Sequence, residues 1–199
     1  MLVIGITGGS GAGKSTLMQA LKATGALALD CDEIYHELLL CNEEMIAQIE
    51  SRFKEVVVNG VIDRKKLGDA VWSNPSALSD LNQITHKYVI DEVNRRIISF
   101  NEQGGSVVAI DAIALIESGQ SQRCDIVIGV TAPDENRIER IIKRDALTIQ
   151  QAKMRITAQQ PESFYKENCD YILENTCASP TEFLAQCNEF FKQKGIFDK

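Results

Sequence analysis

Leu2-Val3-Ile4-Gly5-Ile6-Thr7-Gly8-Gly9-Ser10-Gly11-Ala12-Gly13-Lys14-Ser15-Thr16 decides the reading of this chain. An apolar, β-branched run enters a glycine-rich turn, and the turn ends where a helical pattern opens. Gly8 and Gly13 enclose four residues ahead of Lys14-Ser15. That satisfies the phosphate-binding pattern G-x-x-x-x-G-K-[ST] in its required setting of strand, turn and helix. Glycines let the backbone turn sharply and bring N–H groups up to phosphate oxygens where a side chain would intrude. Lys14 can place a point charge on the β- and γ-phosphates, and Ser15 can offer its hydroxyl to Mg²⁺. The free N–H groups and dipole of the following helix favour the same anion. The pattern marks a nucleoside triphosphate site, without separating kinase from hydrolase or switch.

The strands and helices that follow alternate. Ser15 to about Thr24 reads as the first helix, with Leu17 and Leu21 on one face and Gly25 as its stop. Ala26 to Asp30 reads as a second, parallel strand, and a helix through Ile34 and Leu38 follows Asp30-Cys31-Asp32. In open α/β sheets the ligand lies at the carboxyl ends of the strands, which is where Asp32 falls. Asp32 can cap that helix, or it can orient or deprotonate an acceptor hydroxyl or hold Mg²⁺. Ser106 to Asp111 is the third strand, ending in the carboxylate expected of a P-loop metal site. Asp32 and Asp111 therefore compete for the base and metal roles. Cys124 to Val130 is the fourth strand and Cys169 to Asn175 the fifth, and Ser179-Pro180 opens a terminal helix bearing Phe183, Cys187 and Phe190. The expected architecture is an α/β P-loop fold with a five-stranded, mostly parallel sheet covered on both faces.

Two segments exceed what this core needs. Residues 42–104 read as largely helical, with a turn at Asn59-Gly60 and breaks at Asn74-Pro75 and Gly104-Gly105. This length is more than a crossover requires, which suits an acceptor-binding insertion or additional helical packing. The core would then be about 1–41 and 105–199. The second segment is basic: Arg137, Arg140 and Arg144 share one helix face, with Lys153 and Arg155 beyond them. Its plain reading is a solvated face. Its functional reading is a lid, about 140–168, whose arginines offset charge building on the transferring phosphoryl group.

Composition narrows the class. The chain has 199 residues, 44% of them hydrophobic and 25% charged, as in an ordinary globular domain. A net charge of -7 argues against general binding to nucleic acid or anionic membranes. There is no apolar stretch of membrane-spanning length and no basic leader, so a cytoplasmic protein is expected. Cys31, Cys41, Cys124, Cys169, Cys177 and Cys187 show no C-x-x-C pairing, and His36 and His86 are the two histidines. Reduced, partly buried thiols are expected rather than disulfides or a zinc site.

In sum of motifs the chain resembles the dephospho-coenzyme A kinases over nearly its whole length. The resemblance lies in Ile6-Thr7-Gly8-Gly9 with Gly11 through Thr16, Asp30-Cys31-Asp32, Leu81-Asn82 and His86, and Asp111-Ala112 with Leu115 and Glu117. It continues in Arg140-Ile141-Ile142-Lys143-Arg144-Asp145, Arg155-Ile156, Gln160, and Asp170 with Ile172 and Asn175. The resemblance implies ATP- and Mg²⁺-dependent phosphorylation of the ribose 3′-hydroxyl of dephospho-coenzyme A. It implies a base at Asp32, phosphate contacts from Lys14 and Arg144, and an ATP site at Gly9, Gly11 to Thr16, Arg140 and Asn175. Ser15 and Asp111 would hold the metal, and Asp32, His36 and His86 would face the acceptor. Four positions depart from the family: His36 in place of arginine, Lys87 and Ile113 in place of proline, and Cys177 near an expected glycine. Another small-metabolite kinase (for a nucleoside or a sugar acid) or a catalytically weak nucleotide-binding regulator are the competing readings.

Overall fold

The computed structural model describes residues 1–58, 60–72 and 74–197, so Asn59 of the expected Asn59-Gly60 turn lies outside the described residues. The chain divides into two compact units, residues 1–29 with 104–199 and residues 30–103. The second unit starts at Asp30, earlier than the 42 suggested by periodicity, because the helix after Asp30 packs within that unit (below).

The first unit is built on a five-stranded sheet. Its strands are β1 (Leu2–Thr7), β2 (Leu27–Asp30), β5 (Val107–Asp111), β6 (Ile126–Thr131) and β7 (Tyr171–Glu174). Their order is β2-β5-β1-β6-β7, with β1 parallel to β5 and β6, and β6 parallel to β7. This is the sheet expected from the apolar runs, with β1 starting at Leu2 as expected and the other four strands one or two residues shorter at their entry. The central strand β1 ends between neighbours reached by crossovers in opposite directions, which makes its carboxyl end the switch point where such sheets bind ligands. Two carboxylates lock strand entries: Asp125 Oδ2 accepts from Val3 N at 2.7 Å, and Asp170 Oδ2 accepts from Val127 N at 2.7 Å.

Helices α1 (Lys14–Ala23), α6 (Asp134–Asp145), α7 (Ile149–Thr157), α8 (Glu162–Asn168) and α9 (Pro180–Gln193) complete this unit. Helix α1 packs on α9, and the core between them and the sheet joins Ile4, Ile6, Leu17, Leu21, Ile128 and Phe183. Phe183 is 1% exposed. Phe183→Ala should cost about 3–5 kcal/mol of unfolding free energy, read from denaturant melts, because this close-packed site cannot collapse around the void. Among the described residues no two cysteines form a disulfide. Cys124 and Cys169 fill the spaces in front of two sheet glycines, where a Cβ on Gly5 or Gly129 would come within 2.8 and 2.9 Å of the respective Sγ. Burial pushes both thiols up to about 11, so these side chains act as small apolar fillers.

The second unit contains α2 (Cys31–Cys41), α3 (Glu43–Arg52), β3 (Val57–Val58), β4 (Val61–Ile62), α4 (Arg64–Trp72) and α5 (Pro75–Glu102). Helix α5 packs on α2, α3 and α4, and α2 also packs on β4. Residues 42–104 are largely helical as expected, and the antiparallel β3–β4 pair is an addition not anticipated from sequence. Its valine-rich strands are too short for periodicity to reveal. Asn74 caps α5, its Oδ1 accepting from Ala77 N at 3.1 Å, with Pro75 in the first turn where no N–H is missed.

Candidate active site

The loop between β1 and α1 is shaped by contacts that exclude side chains. Gly8 has φ 142°, and a Cβ there would lie 2.2 Å from the Val130 carbonyl oxygen. Gly13 has φ 119°, and a Cβ would lie 2.4 Å from Asn175 Nδ2 and 2.8 Å from the Phe183 ring. Within the loop Ala12 N donates to Gly9 O, while Thr16 N and Leu17 N both donate to Gly13 O. Among the described residues no protein acceptor meets the backbone N–H of Gly11, Gly13, Lys14 or Ser15. Four donors without a protein acceptor, in the loop and the first turn of a ten-residue helix, make a cradle suited to an anion.

The side chains at the loop's end suit the same anion. Register places Asp111 beside Ile6, so the β5 carboxylate arrives next to the loop's entrance. Asp111 is buried, with Oδ1 4.0 Å from Lys14 Nζ. Ser15 is exposed in the first turn of α1 and Thr16 half-buried. Among the described residues no group of three or more His, Cys, Asp or Glu could cage a metal alone. A Mg²⁺ bound largely by phosphate and water needs only one or two hard oxygens from protein. The hydroxyl and carboxylate at Ser15 and Asp111 fit that requirement.

The outer side of the loop is tied down by α6. Arg140 Nη1 donates to Gly11 O at 3.1 Å, while its Nη2 donates to Asn175 Oδ1 at 3.1 Å and Cys177 O at 3.0 Å. Asn175 is buried and donates from Nδ2 to Ala12 O at 2.8 Å. Arg140 and Asn175 thus meet at the loop's carbonyls, so both brace the cradle whatever their contact with nucleotide. Arg140→Lys keeps the charge but loses the planar fork. It should destabilise the protein by about 1–3 kcal/mol, read from denaturant midpoints, as several carbonyls lose a charged donor.

Arg137 also faces the loop, donating from Nε to Ser10 O at 3.0 Å. The solvated-face reading therefore fails for Arg137 and Arg140. It describes Arg144, which is 57% exposed and bonds Asp145 with both Nε and Nη2, at 2.8 and 2.9 Å. Arg155 joins the same carboxylate. The hydrogen bond from Arg144 is the main cause holding the Asp145 carboxyl down at about 2. A cleft of about 510 Å³ opens beside Gly9 and Ala12, walled by the end of β6, Arg137, Gln159 and Tyr165. Lys14, Ser15 and Asp111 are not on its walls, so it lies apart from the cradle's charged end.

The second unit holds the expected acceptor residues. The cap of α2 is Asp30, whose Oδ1 accepts from Asp32 N at 2.9 Å and Glu33 N at 3.1 Å. Asp32, exposed in the first turn, is thereby released from capping. Arg64 Nη2 donates to His36 Nε2 at 3.0 Å, which makes that nitrogen the acceptor and puts the ring proton on Nδ1. Burial, then the Arg64 charge, lowers the His36 pKa. A guanidinium thus stands beside the position where arginine was expected. Arg64 carries no motif and was not anticipated from sequence, since 28 residues separate it from His36. His86 is exposed on α5, away from the buried face formed by Leu81, Thr85, Tyr88 and Val89.

A glycine loop closing the central strand of this sheet, with lysine and serine at its end and an aspartate on the adjacent strand, defines a P-loop nucleotide-binding protein of the small-molecule kinase class. The comparisons narrow this. The dephospho-CoA kinase family model matches residues 2–180. A dephospho-CoA kinase from Lactobacillus acidophilus is 34% identical over 178 residues, covering 87% of this chain and 88% of the relative. One from Dehalococcoides mccartyi is 34% identical over 179 residues, covering 89% and 90%. The chain belongs to the dephospho-CoA kinase family. Among solved structures, a Thermus thermophilus protein superposes with TM-score 0.78 at 29% identity, covering 97% of both chains. The Campylobacter jejuni dephospho-CoA kinase gives 0.63 at 24% identity, covering 96% of both, and a shikimate kinase from Acinetobacter baumannii 0.57 at 16%, covering 98% and 94%; these two likenesses concern the fold.

Proposed function

We propose that this ATP-dependent kinase transfers the γ-phosphoryl group of ATP to the ribose 3′-hydroxyl of dephospho-coenzyme A, giving ADP and coenzyme A. The observation that carries the reading is the cradle of four unaccepted N–H groups beside Lys14, on a chain of this family. The bond from the acceptor oxygen to phosphorus forms as the bond to the β–γ bridging oxygen breaks, and the acceptor proton leaves to a base. Positioning and charge stabilisation supply most of the acceleration in such a transfer.

In this reading Gly9 and Gly11 to Thr16 hold the triphosphate, and Lys14 bridges the β- and γ-phosphates. Ser15 and Asp111 would hold Mg²⁺, which when bound neutralises charge on the phosphate oxygens. Asp32 orients or deprotonates the hydroxyl, and its freedom from helix capping supports that assignment. His36, with Arg64 beside it, and His86 bind the acceptor. Residues 140–168 act as the lid, with Arg144 exchanging Asp145 for phosphate oxygens. Among the described residues no helix is long and apolar enough to cross a membrane. The test is ADP release from Mg·ATP with dephospho-coenzyme A, a nucleoside or a sugar acid as acceptor. Selective turnover of the first, with product phosphorylated at the ribose 3′ position, is the expected result. Turnover of another acceptor only would overturn the substrate, and ATP binding with no turnover would point to a regulator.

A further inference from the structure

The sequence motifs pass over Ser10 and single out Gln160, yet it is Gln159 that reaches the loop. Gln159 lies in the connection between α7 and α8. Its Oε1 accepts from Ser10 N at 2.9 Å and from Arg137 Nη2 at 2.8 Å, and its Nε2 donates to Ser10 Oγ at 2.9 Å. Arg137 closes the set through Ser10 O at 3.0 Å and is itself anchored on Asp134 Oδ1 at 3.0 Å. Every polar group of Ser10 is thus held by two side chains, 127 and 149 residues away. A side chain at Gly9 would have to displace this arrangement, because a Cβ there would lie 2.3 Å from Arg137 Nη2.

We propose that Gln159 and Arg137 are positioning residues that join the phosphate loop to the α6–α8 segment, so that the loop's donors are correctly aimed only when that segment is seated. The proposal rests on the reading of the loop as the ATP phosphate site. Ser10 sits among glycines and an alanine, which offer backbone carbonyls but no polar side chain for the rest of the protein to grip. The Ser10 N–H is turned to Gln159 while the N–H groups of Gly11, Gly13, Lys14 and Ser15 are left for the ligand. The joint therefore fixes which way the loop's peptide planes face. The same segment carries Arg144 and Arg155, so a shift of these arginines is transmitted to the loop through Gln159 and Arg137, beside the direct contact of Arg140 with Gly11 O.

The test uses two variants of the full chain. Gln159→Met keeps length and packing but neither accepts nor donates. Gln159→Glu keeps acceptors for Ser10 N and Arg137, and can accept the Ser10 hydroxyl. The Met variant should weaken Mg·ATP binding in calorimetry about tenfold, the scale of one lost charge-assisted hydrogen bond, without changing the acceptor KM. It should also speed hydrogen exchange at the Ser10 amide. The Glu variant should restore both to within about threefold. Unchanged ATP affinity in the Met variant, equal rises for both substrates, or failure of the Glu variant to restore would overturn the joint. If the Met variant does not fold, Arg137→Lys carries the same expectation, since lysine cannot span Ser10 O and Gln159 together. A parent chain that binds Mg·ATP but phosphorylates no acceptor would overturn the proposed reaction while the binding and exchange measurements still judge the joint. A parent that binds no ATP would overturn both.

Discussion

Lys14→Met should lower acceptor-dependent ADP release by about 10³-fold, the scale seen when one preorganised donor to a developing oxyanion is removed. Methionine matches the lysine stem in length, so it replaces the stem's packing while removing the charge. What disappears is the one charge 4.0 Å from Asp111 that the loop itself supplies. The loss should fall on kcat as well as on ATP affinity, because the β–γ region gains its charge chiefly as the phosphoryl group moves. Steady-state kinetics with a thermal melt decide the matter. Near-parental turnover in a folded variant would remove Lys14 from the transfer.

Asp32→Asn should reduce turnover by about 10²- to 10⁴-fold, the usual contribution of a positioned general base. The substitution is unusually clean here. Asp30, not Asp32, accepts the two first-turn N–H groups of α2, so the amide should leave helix and stability unchanged. Binding of Mg·ATP should also be unchanged, since the cradle is assembled in the other unit. Turnover at saturating ATP and acceptor is the measurement. Activity within a few-fold of the parent would assign Asp32 to packing or acceptor orientation.

The elements that could be read in advance share one property: their cause is local. Buried parallel strands are continuous apolar runs, and β1, β5 and β6 were visible as such because helices cover both faces of the sheet. The break at Asn74-Pro75 and the helix start at Ser179-Pro180 were equally local, and the structure shows Asn74 and Ser179 as the caps. The β3–β4 pair escaped because two residues per strand leave no period to detect. Asp170 entered as part of a motif, and its observed work is to hold the Val127 N–H at the start of β6.

The site divides in the same way. The order Gly8 to Ser15 determined the strand–loop–helix, the glycine positions and the anion it suits, since a phosphate loop is made by consecutive residues. Only the tertiary structure decided which side chains brace that loop. Arg137, Arg140, Gln159 and Asn175 come from three later segments and meet at Ser10, Gly11 and Ala12 through hydrogen bonds across the fold. The same holds for Arg64 beside His36, and for Asp30 taking the cap that frees Asp32. Spacing along a chain reports which residues share a helix face, but a hydrogen bond of about 3 Å between distant segments depends on how the elements pack.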